Sequence, residues 1–183
     1  MKKPRLIIVL PAAILAVGVY LYFLNGRPND EFISKVFGNR QLFDAFVASQ
    51  QVSAQRLHTR DRHEISPDIL SNYKRGPSVP VAASQSRRLK RILQRSSSYY
   101  QGSNRKACIP DYGVLFTFHS GDRAIQLALC FNCNMLDVFD GGDDKARSVN
   151  TESDFDPIRS DLVAIVKKVF PDDPEIQELE RHR

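Results

Sequence analysis

Two runs of alternating apolar residues, separated by a short polar turn, place the strongest constraint on the fold. The segment between the runs, residues 119–122, contains the polar residues and glycine that favour a turn. If Ser120 and Gly121 form a two-residue loop, Phe116 pairs with Ile125, and every apolar side chain of both runs lies on one face. The pattern therefore predicts an antiparallel hairpin built from Tyr112, Val114, Phe116 and Phe118 and from Ile125, Leu127, Leu129 and Phe131.

Helices are predicted on both sides of this hairpin. Asn29 and Asn39 can cap two short helices, the second with an apolar stripe of Leu42, Phe43, Phe46 and Val47. Ser84 can cap a helix that runs to about Arg95, and Asp156, followed by Pro157, can cap the last long helix, with a short helix after Asp173. With further strands at 52–58 and 135–139, the expected fold is α+β, an antiparallel sheet of three to four strands with helices packed on one face.

The chain begins with a basic flank and a long uncharged segment. Residues 6–24 are nineteen residues without a charge, and as a helix they extend about 29 Å, enough to cross a bilayer core. The apolar run continues past the only small-residue site for cleavage, Ala16-Val17-Gly18, to the aromatic residues Tyr20, Tyr22 and Phe23. These features favour an uncleaved transmembrane signal-anchor over a cleaved signal peptide or a buried core helix.

Basic residues predict the orientation of this anchor. Lys2, Lys3 and Arg5 precede the span and only Arg27 follows it closely, so the N-terminus is expected in the cytoplasm. The predicted organisation is a membrane anchor at 1–26 and a single soluble domain at 27–183, with an acidic loop at 140–156. In a bacterium the anchor would lie in the inner membrane and the domain in the periplasm.

Charge is distributed unevenly along the soluble part. Residues 69–110 contain nine basic residues and no acidic residue, whereas residues 111–183 contain 15 acidic and 8 basic residues. On the helix predicted from Ser84, a basic face of Arg87, Arg88, Arg91 and Arg95 lies opposite Leu89, Ile92 and Leu93. This face could attract an acidic envelope protein or an anionic lipid surface; the plainer interpretation is two solvated faces of one fold. No nucleic acid is expected, because the segment lacks interleaved aromatic residues.

Three cysteines leave four interpretations open. Extending the predicted hairpin register places Cys108 opposite Cys133, which suggests a disulfide in an oxidising compartment, although Pro110 would disturb pairing there. Alternatively, all three cysteines are buried thiols. Cys130 and Cys133 form a C-x-x-C, which could be a redox pair, with Cys130 a candidate reactive thiol, but a strand rather than a helix is predicted to follow. Finally, Cys108, Cys130 and Cys133 could bind zinc together with a histidine.

Other enzyme signals are weak. The chain contains no G-x-S-x-G, H-E-x-x-H or phosphate-loop motif. His58 and His63 could partner a cysteine, whereas His119 is placed in the hairpin turn, too far from Cys130 to act with it. The aspartates of the acidic loop do not have the spacing of a calcium-binding EF-hand. No catalytic residue and no cofactor are therefore predicted.

Two segments resemble those of a known set of proteins. They are Cys108-Ile109-Pro110-Asp111-Tyr112-Gly113-Val114 and Leu129-Cys130-Phe131-Asn132-Cys133. Over residues 105–139 the chain resembles a set of uncharacterised bacterial envelope proteins with a Cys-Pro-Gly segment and a Leu-Cys-Phe-x-Cys strand. The resemblance implies a bacterial, exported setting and assigns no catalytic residue.

The expected function is that of a membrane-anchored, extracytoplasmic binding or structural domain. It would scaffold or neutralise another envelope protein. The alternative is a thiol- or zinc-dependent envelope enzyme that uses Cys108, Cys130 and Cys133.

Overall fold

Four long antiparallel strands form the centre of the domain. A computed structural model describes residues 28–59, 66, 68–100, 108–141, 147–149 and 153–179. In chain order the strands are β1 (Gln51–Thr59), β2 (Tyr73–Arg75), β3 (Val79–Pro80), β4 (Val114–Ser120), β5 (Arg123–Cys130), β6 (Met135–Asp140), β7 (Arg147–Ser148) and β8 (Ser153–Asp154). The long strands lie in the order β1-β4-β5-β6, and short strands extend both outer edges, β2 and β3 along β1 and β7 and β8 along β6.

Five α-helices accompany the sheet in the part of the chain that is described. They are α1 (Asp30–Phe37), α2 (Arg40–Ala48), α3 (Ala83–Leu93), α4 (Arg159–Val169) and α5 (Pro174–Glu178), with 3-10 helices at Ile69–Asn72, Ser96–Ser98 and Asp156–Ile158. None of the described helices is long and apolar enough to span a membrane. The predicted anchor, residues 1–26, lies outside the described residues. The α+β class and the antiparallel sheet are confirmed, and the edge strands raise the strand count above the predicted three to four.

The hairpin exists, but its predicted register is wrong by two residues. Ser120 pairs with Arg123, so Phe116 faces Leu127 rather than Ile125, and His119 is part of β4 rather than of the turn. The loop is Gly121-Asp122, and Gly121 has φ of +59°. A positive φ at the first loop position is what a type II′ hairpin requires, and glycine adopts it without strain. A shift of two residues keeps every side chain on its face, which is why the apolar pattern fits both registers.

Asparagine and aspartate side chains cap three of the five helices as predicted. Asn29 and Asn39 accept hydrogen bonds from Phe32 N at 2.8 Å and from Leu42 N at 2.9 Å, and Asp173 accepts from Ile176 N at 3.0 Å. Two predicted caps are wrong. Helix α3 begins after Ala82 without a side-chain cap. Asp156 begins a 3-10 helix, and its carboxylate accepts from the Asn134 side chain instead.

The main core lies between the helices and one face of the sheet. All five α-helices contribute to it, and the sheet supplies Val52, Ala54, Val114, Phe116, Phe118, Ile125, Leu127, Leu129, Leu136 and Val138. Aromatic rings connect the layers, since Phe46 of α2 lies 4.7 Å, centroid to centroid, from Phe118 of β4. Val47, predicted for the buried stripe of α2, is 40% exposed.

The opposite face of the sheet is buried as well. A second cluster contains Leu57, Leu70, Tyr73, Tyr112, Leu115, Ala128, Cys130, Cys133, Met135 and Phe139, so Tyr112 lies on the other side from its predicted place. Thr117, Gln126 and Asp137 are also buried on this side of the central strands. The predicted acidic loop, residues 140–156, is structured in its described parts, because β7 and β8 both pair with β6.

Candidate functional site

The three cysteines lie around the turn that joins β5 to β6. Cys108 and Cys133 are at disulfide distance, with their Cα atoms 6.1 Å apart, within the range of protein disulfides. Cys130 is the free thiol and is fully buried, and its sulfur accepts a hydrogen bond from Asp111 N at 3.3 Å. Cys130 and Cys133 belong to the same apolar cluster.

This geometry bears on the four cysteine interpretations. Cys133 is paired with Cys108, and Cys130 is the free cysteine. This is the pairing that the disulfide interpretation predicts. The pairing does not follow from the hairpin register, because the observed register differs by two residues from the one that places Cys108 opposite Cys133. Cys130 ends a strand rather than beginning a helix, and burial keeps the thiol from substrates. Within the described residues, no group of His, Cys, Asp and Glu could hold a metal ion.

Arg159 holds the turn between β5 and β6 in place. Its guanidinium donates to the Phe131 carbonyl at 2.7 Å and to Asn134 Oδ1 at 2.5 Å, and it lies 5.7 Å from the centre of the Phe131 ring. Burial lowers the pKa of Arg159, and the charge of the nearby Asp156 carboxylate partly offsets that effect. Among the described residues, Asn134 is the non-glycine residue with a positive φ, 56°. Side chains other than glycine rarely adopt this conformation, so the contacts with Arg159 help to hold it.

A second buried arginine connects the sheet to the C-terminal helix. Arg56 of β1 is paired with Asp173 at 2.7 Å and with Glu175 at 2.5 Å, and it also donates to the Gly113 carbonyl. Its side chain is only 11% exposed. These contacts fix α5, which the sequence suggested only as a short terminal helix, against the edge of the central sheet.

The pKa of Asp173 is lowered even though burial by itself would raise it. The hydrogen bonds from Ile176 N and Arg56, together with the positive charges of Arg56 and His58, outweigh the cost of burial. A carboxylate with a lowered pKa in the folded state stabilises the fold above its unfolded pKa, near 3.9. Its contribution is lost as the pH falls through the lower, folded value.

The predicted basic face of α3 divides into two parts. Arg88 pairs with Asp161 of α4 at 2.5 Å and so joins two helices. Arg87, Arg91 and Arg95 are exposed and form no ion pair with any described residue. We call these three residues the arginine stripe. Arg87 and Arg91, four residues apart, project from one side of α3. Arg95 has extended backbone just beyond the helix, which ends at Leu93 rather than near Arg95 as predicted.

Lys90 is another basic residue of α3, and it contacts the protein backbone instead of projecting freely into solvent. Its ammonium group donates to the carbonyl oxygens of Ser49 at 2.7 Å and Val47 at 3.2 Å. These carbonyls lie at the C-terminal end of α2, where a cation is favourable. Lys90 therefore ties α3 to α2 beside the arginine stripe.

Two clefts open on the described surface. The first has a volume of about 580 Å³, lies between the start of β1 and the start of α3, and is lined by residues that include Ser86, Arg87, Lys90 and His119. The second has a volume of about 460 Å³, and its lining includes Arg56, His58, Asp111, Phe131 and Glu175. The guanidinium of Arg56 already binds protein groups, so it is less able to bind a ligand in this second cleft. His63, the remaining candidate histidine, lies outside the described residues.

Sequence reasoning missed Arg56, Arg159 and both clefts. Neither arginine belongs to a motif, and each acts through residues distant in the chain: Arg56 reaches Asp173 and Glu175, and Arg159 reaches the turn after β5. The signal that was available is their position, since Arg56 interrupts a strand and Arg159 lies in the first turn of a helix.

Comparisons with known proteins add no assignment. No protein-family model, no curated protein and no solved structure matches the chain.

Proposed function

We propose that this chain is a membrane-tethered, extracytoplasmic binding domain that recruits an acidic envelope protein through the arginine stripe. The observation that carries the proposal is the stripe itself, Arg87, Arg91 and Arg95. Arg87 and Arg91 lie on α3, which contains no acidic residue, and Arg95 lies two residues beyond its end; all three residues are exposed. Arginine suits this role because its planar group can form two hydrogen bonds with one carboxylate.

The rest of α3 supports recognition by a fixed surface. Arg88 and Lys90 hold the helix to α4 and α2, and Leu89, Ile92 and Leu93 are buried in the core. Arg87 and Arg91 are therefore presented on a rigid element, which lowers the entropy lost on binding. The disulfide-distance cysteine pair and the buried Cys130 suit a stable extracytoplasmic domain better than a thiol enzyme.

We expect reversal of charge in the stripe to weaken binding of the acidic partner without unfolding the domain. The variant Arg91→Glu/Arg95→Glu removes two exposed positive charges and introduces two negative charges. The matched control, Lys74→Glu/Lys168→Glu, makes the same change in net charge at exposed positions on β2 and α4. The measurement is crosslinking of the full-length protein in native envelopes, followed by identification of the crosslinked partner and its acidic surface.

The stripe variant should lose the partner while the control keeps it, and the wild-type complex should weaken with added salt, because charges are screened over about 8 Å at physiological ionic strength. Equal crosslinking by both variants would refute the proposal. If the stripe instead binds vesicles that contain phosphatidylglycerol and no acidic protein is crosslinked, the partner of the stripe is an anionic lipid surface and not a protein.

The tether is tested separately. Because residues 6–24 are uncharged and the basic flank precedes them, we expect the full chain to stay in the membrane fraction after a high-salt wash, with its C-terminus outside the cytoplasm. A reporter that is active only in the cytoplasm, fused after Arg183, should be silent. An active reporter would show that the proposed orientation is wrong.

A further inference from the structure

The larger cleft combines several features of an anion site. It occupies about 580 Å³, and its lining contains Arg87, Lys90 and His119 but no aspartate or glutamate. Its polar wall is completed by Gln50, Gln51, Ser53, Ser78 and Ser86. A concave space with cationic groups and several neutral hydrogen-bonding side chains suits a small oxyanion.

The N-terminus of α3 forms one side of this cleft. Its N-cap is Ala82, which offers no side-chain hydrogen bond, and the first turn contains no acidic residue. The first N–H groups of an α-helix have no acceptor within the helix. Three of the four other described α-helices satisfy such groups with Asn29, Asn39 or Asp173, whereas α4, like α3, has no side-chain cap. At α3 the donors and the positive end of the helix dipole are left for another acceptor.

Ser86 provides a second and independent indication. It is only 8% exposed and lines the cleft, yet its hydroxyl forms no hydrogen bond within the described structure. Because Ser86 lines the cleft, an oxyanion bound there would accept a hydrogen bond from this hydroxyl. Arg87 lies one residue further along the same wall and has no described ion-pair partner.

The walls of the cleft are held in place by the fold. Val81 N donates to Val52 O at 2.9 Å, which fixes the start of α3 beside β1. Pro80 of β3 pairs with Ser53 of β1, and Lys90 is held by the end of α2. The donors are therefore positioned before any ligand arrives, so binding would require little rearrangement.

We propose that this cleft binds a phosphate-type oxyanion, with the first turn of α3, Ser86 and Arg87 as donors and Lys90 as a nearby positive charge. The group would be a free phosphate ester or a phosphate on a lipid headgroup. This site goes beyond the proposed recruitment of an acidic protein. A small anion at the N-terminus of α3 neither requires nor excludes a protein bound to Arg91 and Arg95.

The test titrates the full-length protein in detergent with inorganic phosphate by calorimetry. In the variant Ala82→Asp, an aspartate at the N-cap would take the free N–H groups and add a negative charge. Because aspartate is a favourable N-cap, this variant should fold at least as stably as the wild type. We expect it to weaken phosphate binding by at least about tenfold, and Arg87→Gln to weaken it by a similar factor.

The matched control is Arg91→Gln, which removes a neighbouring arginine that does not line the cleft and should leave phosphate binding unchanged. A parallel arm uses vesicles with and without phosphatidic acid. Tight binding of free phosphate supports a soluble ligand, and Ala82-dependent binding only to phosphatidic acid vesicles supports a lipid headgroup. The proposal is overturned if the wild type binds neither probe, or if Ala82→Asp and the wild type bind both equally.

Discussion

Replacing Arg56 with alanine is expected to lower the free energy of unfolding by about 3 kcal/mol, because it removes one partner of a buried ion pair. The guanidinium is 11% exposed and contacts Asp173, Glu175 and the Gly113 carbonyl. Without it, the Asp173 carboxylate, itself only 20% exposed, loses its counterion. Urea unfolding followed by circular dichroism measures the change, since the chain contains no tryptophan.

Arg40→Ala is the matched control for Arg56→Ala. It also removes an arginine from an ion pair, but Arg40 and Asp30 are 47% and 90% exposed. An exposed pair contributes roughly 1 kcal/mol or less, so the control should change stability little. Hydrogen exchange at Ile176 should also increase in Arg56→Ala, because α5 loses its attachment to β1. Equal destabilisation by the two variants, with unchanged exchange in α5, would contradict the structural role given to Arg56.

Replacing Cys133 with serine should have an effect of comparable size. The Cys108–Cys133 pair closes a loop with a sequence separation of 25, and a cross-link of that length contributes about 3.5 kcal/mol by restricting the unfolded chain. We expect the variant to lose about that much stability under oxidising conditions. Reductant should destabilise the wild type by a similar amount and leave Cys133→Ser nearly unchanged.

Peptide mapping of the non-reduced protein provides the direct measurement. It should recover a Cys108–Cys133 peptide pair and an unmodified Cys130. A Cys130–Cys133 bridge, or one zinc ion per chain, would contradict the structural assignment and favour the thiol- or zinc-dependent enzyme. Three free thiols in the protein isolated from its native compartment would contradict the Cys108–Cys133 bridge. The interpretation that all three are buried thiols does not fit either, because Cys108 is exposed.

Local sequence signals predicted much of the secondary structure. Helices α1, α2 and α5 begin where Asn29, Asn39 and Asp173 predict, because a cap is formed by a side chain and a backbone group only three residues away. The cap prediction failed at α3 and at Asp156, where serine and aspartate side chains lie near a helix start without binding its N–H groups. At these two helix starts, tertiary contacts outweigh the local preference of serine and aspartate for capping. Asp156, for example, accepts a hydrogen bond from Asn134 in the turn after β5.

The candidate sites depended much less on local signals. The arginine stripe could be predicted from helical spacing, but the Arg88–Asp161 pair that removes Arg88 from it joins residues in two different helices. Both clefts combine residues from segments far apart in the chain. No periodicity or motif encodes such proximity, because it arises only when the elements pack together.

The sequence by itself determined which faces of the central strands are apolar, where most helices begin and that the fold is α+β, since these properties follow from side-chain period and local capping. Only the tertiary structure decided the hairpin register, because registers that differ by two residues bury the same side chains and the φ of Gly121 selects between them. Likewise, Arg56 and Arg159 are buried because partners from distant segments neutralise or solvate their charge. Burial of a charge is favourable only with such partners, and chain folding alone brings them together.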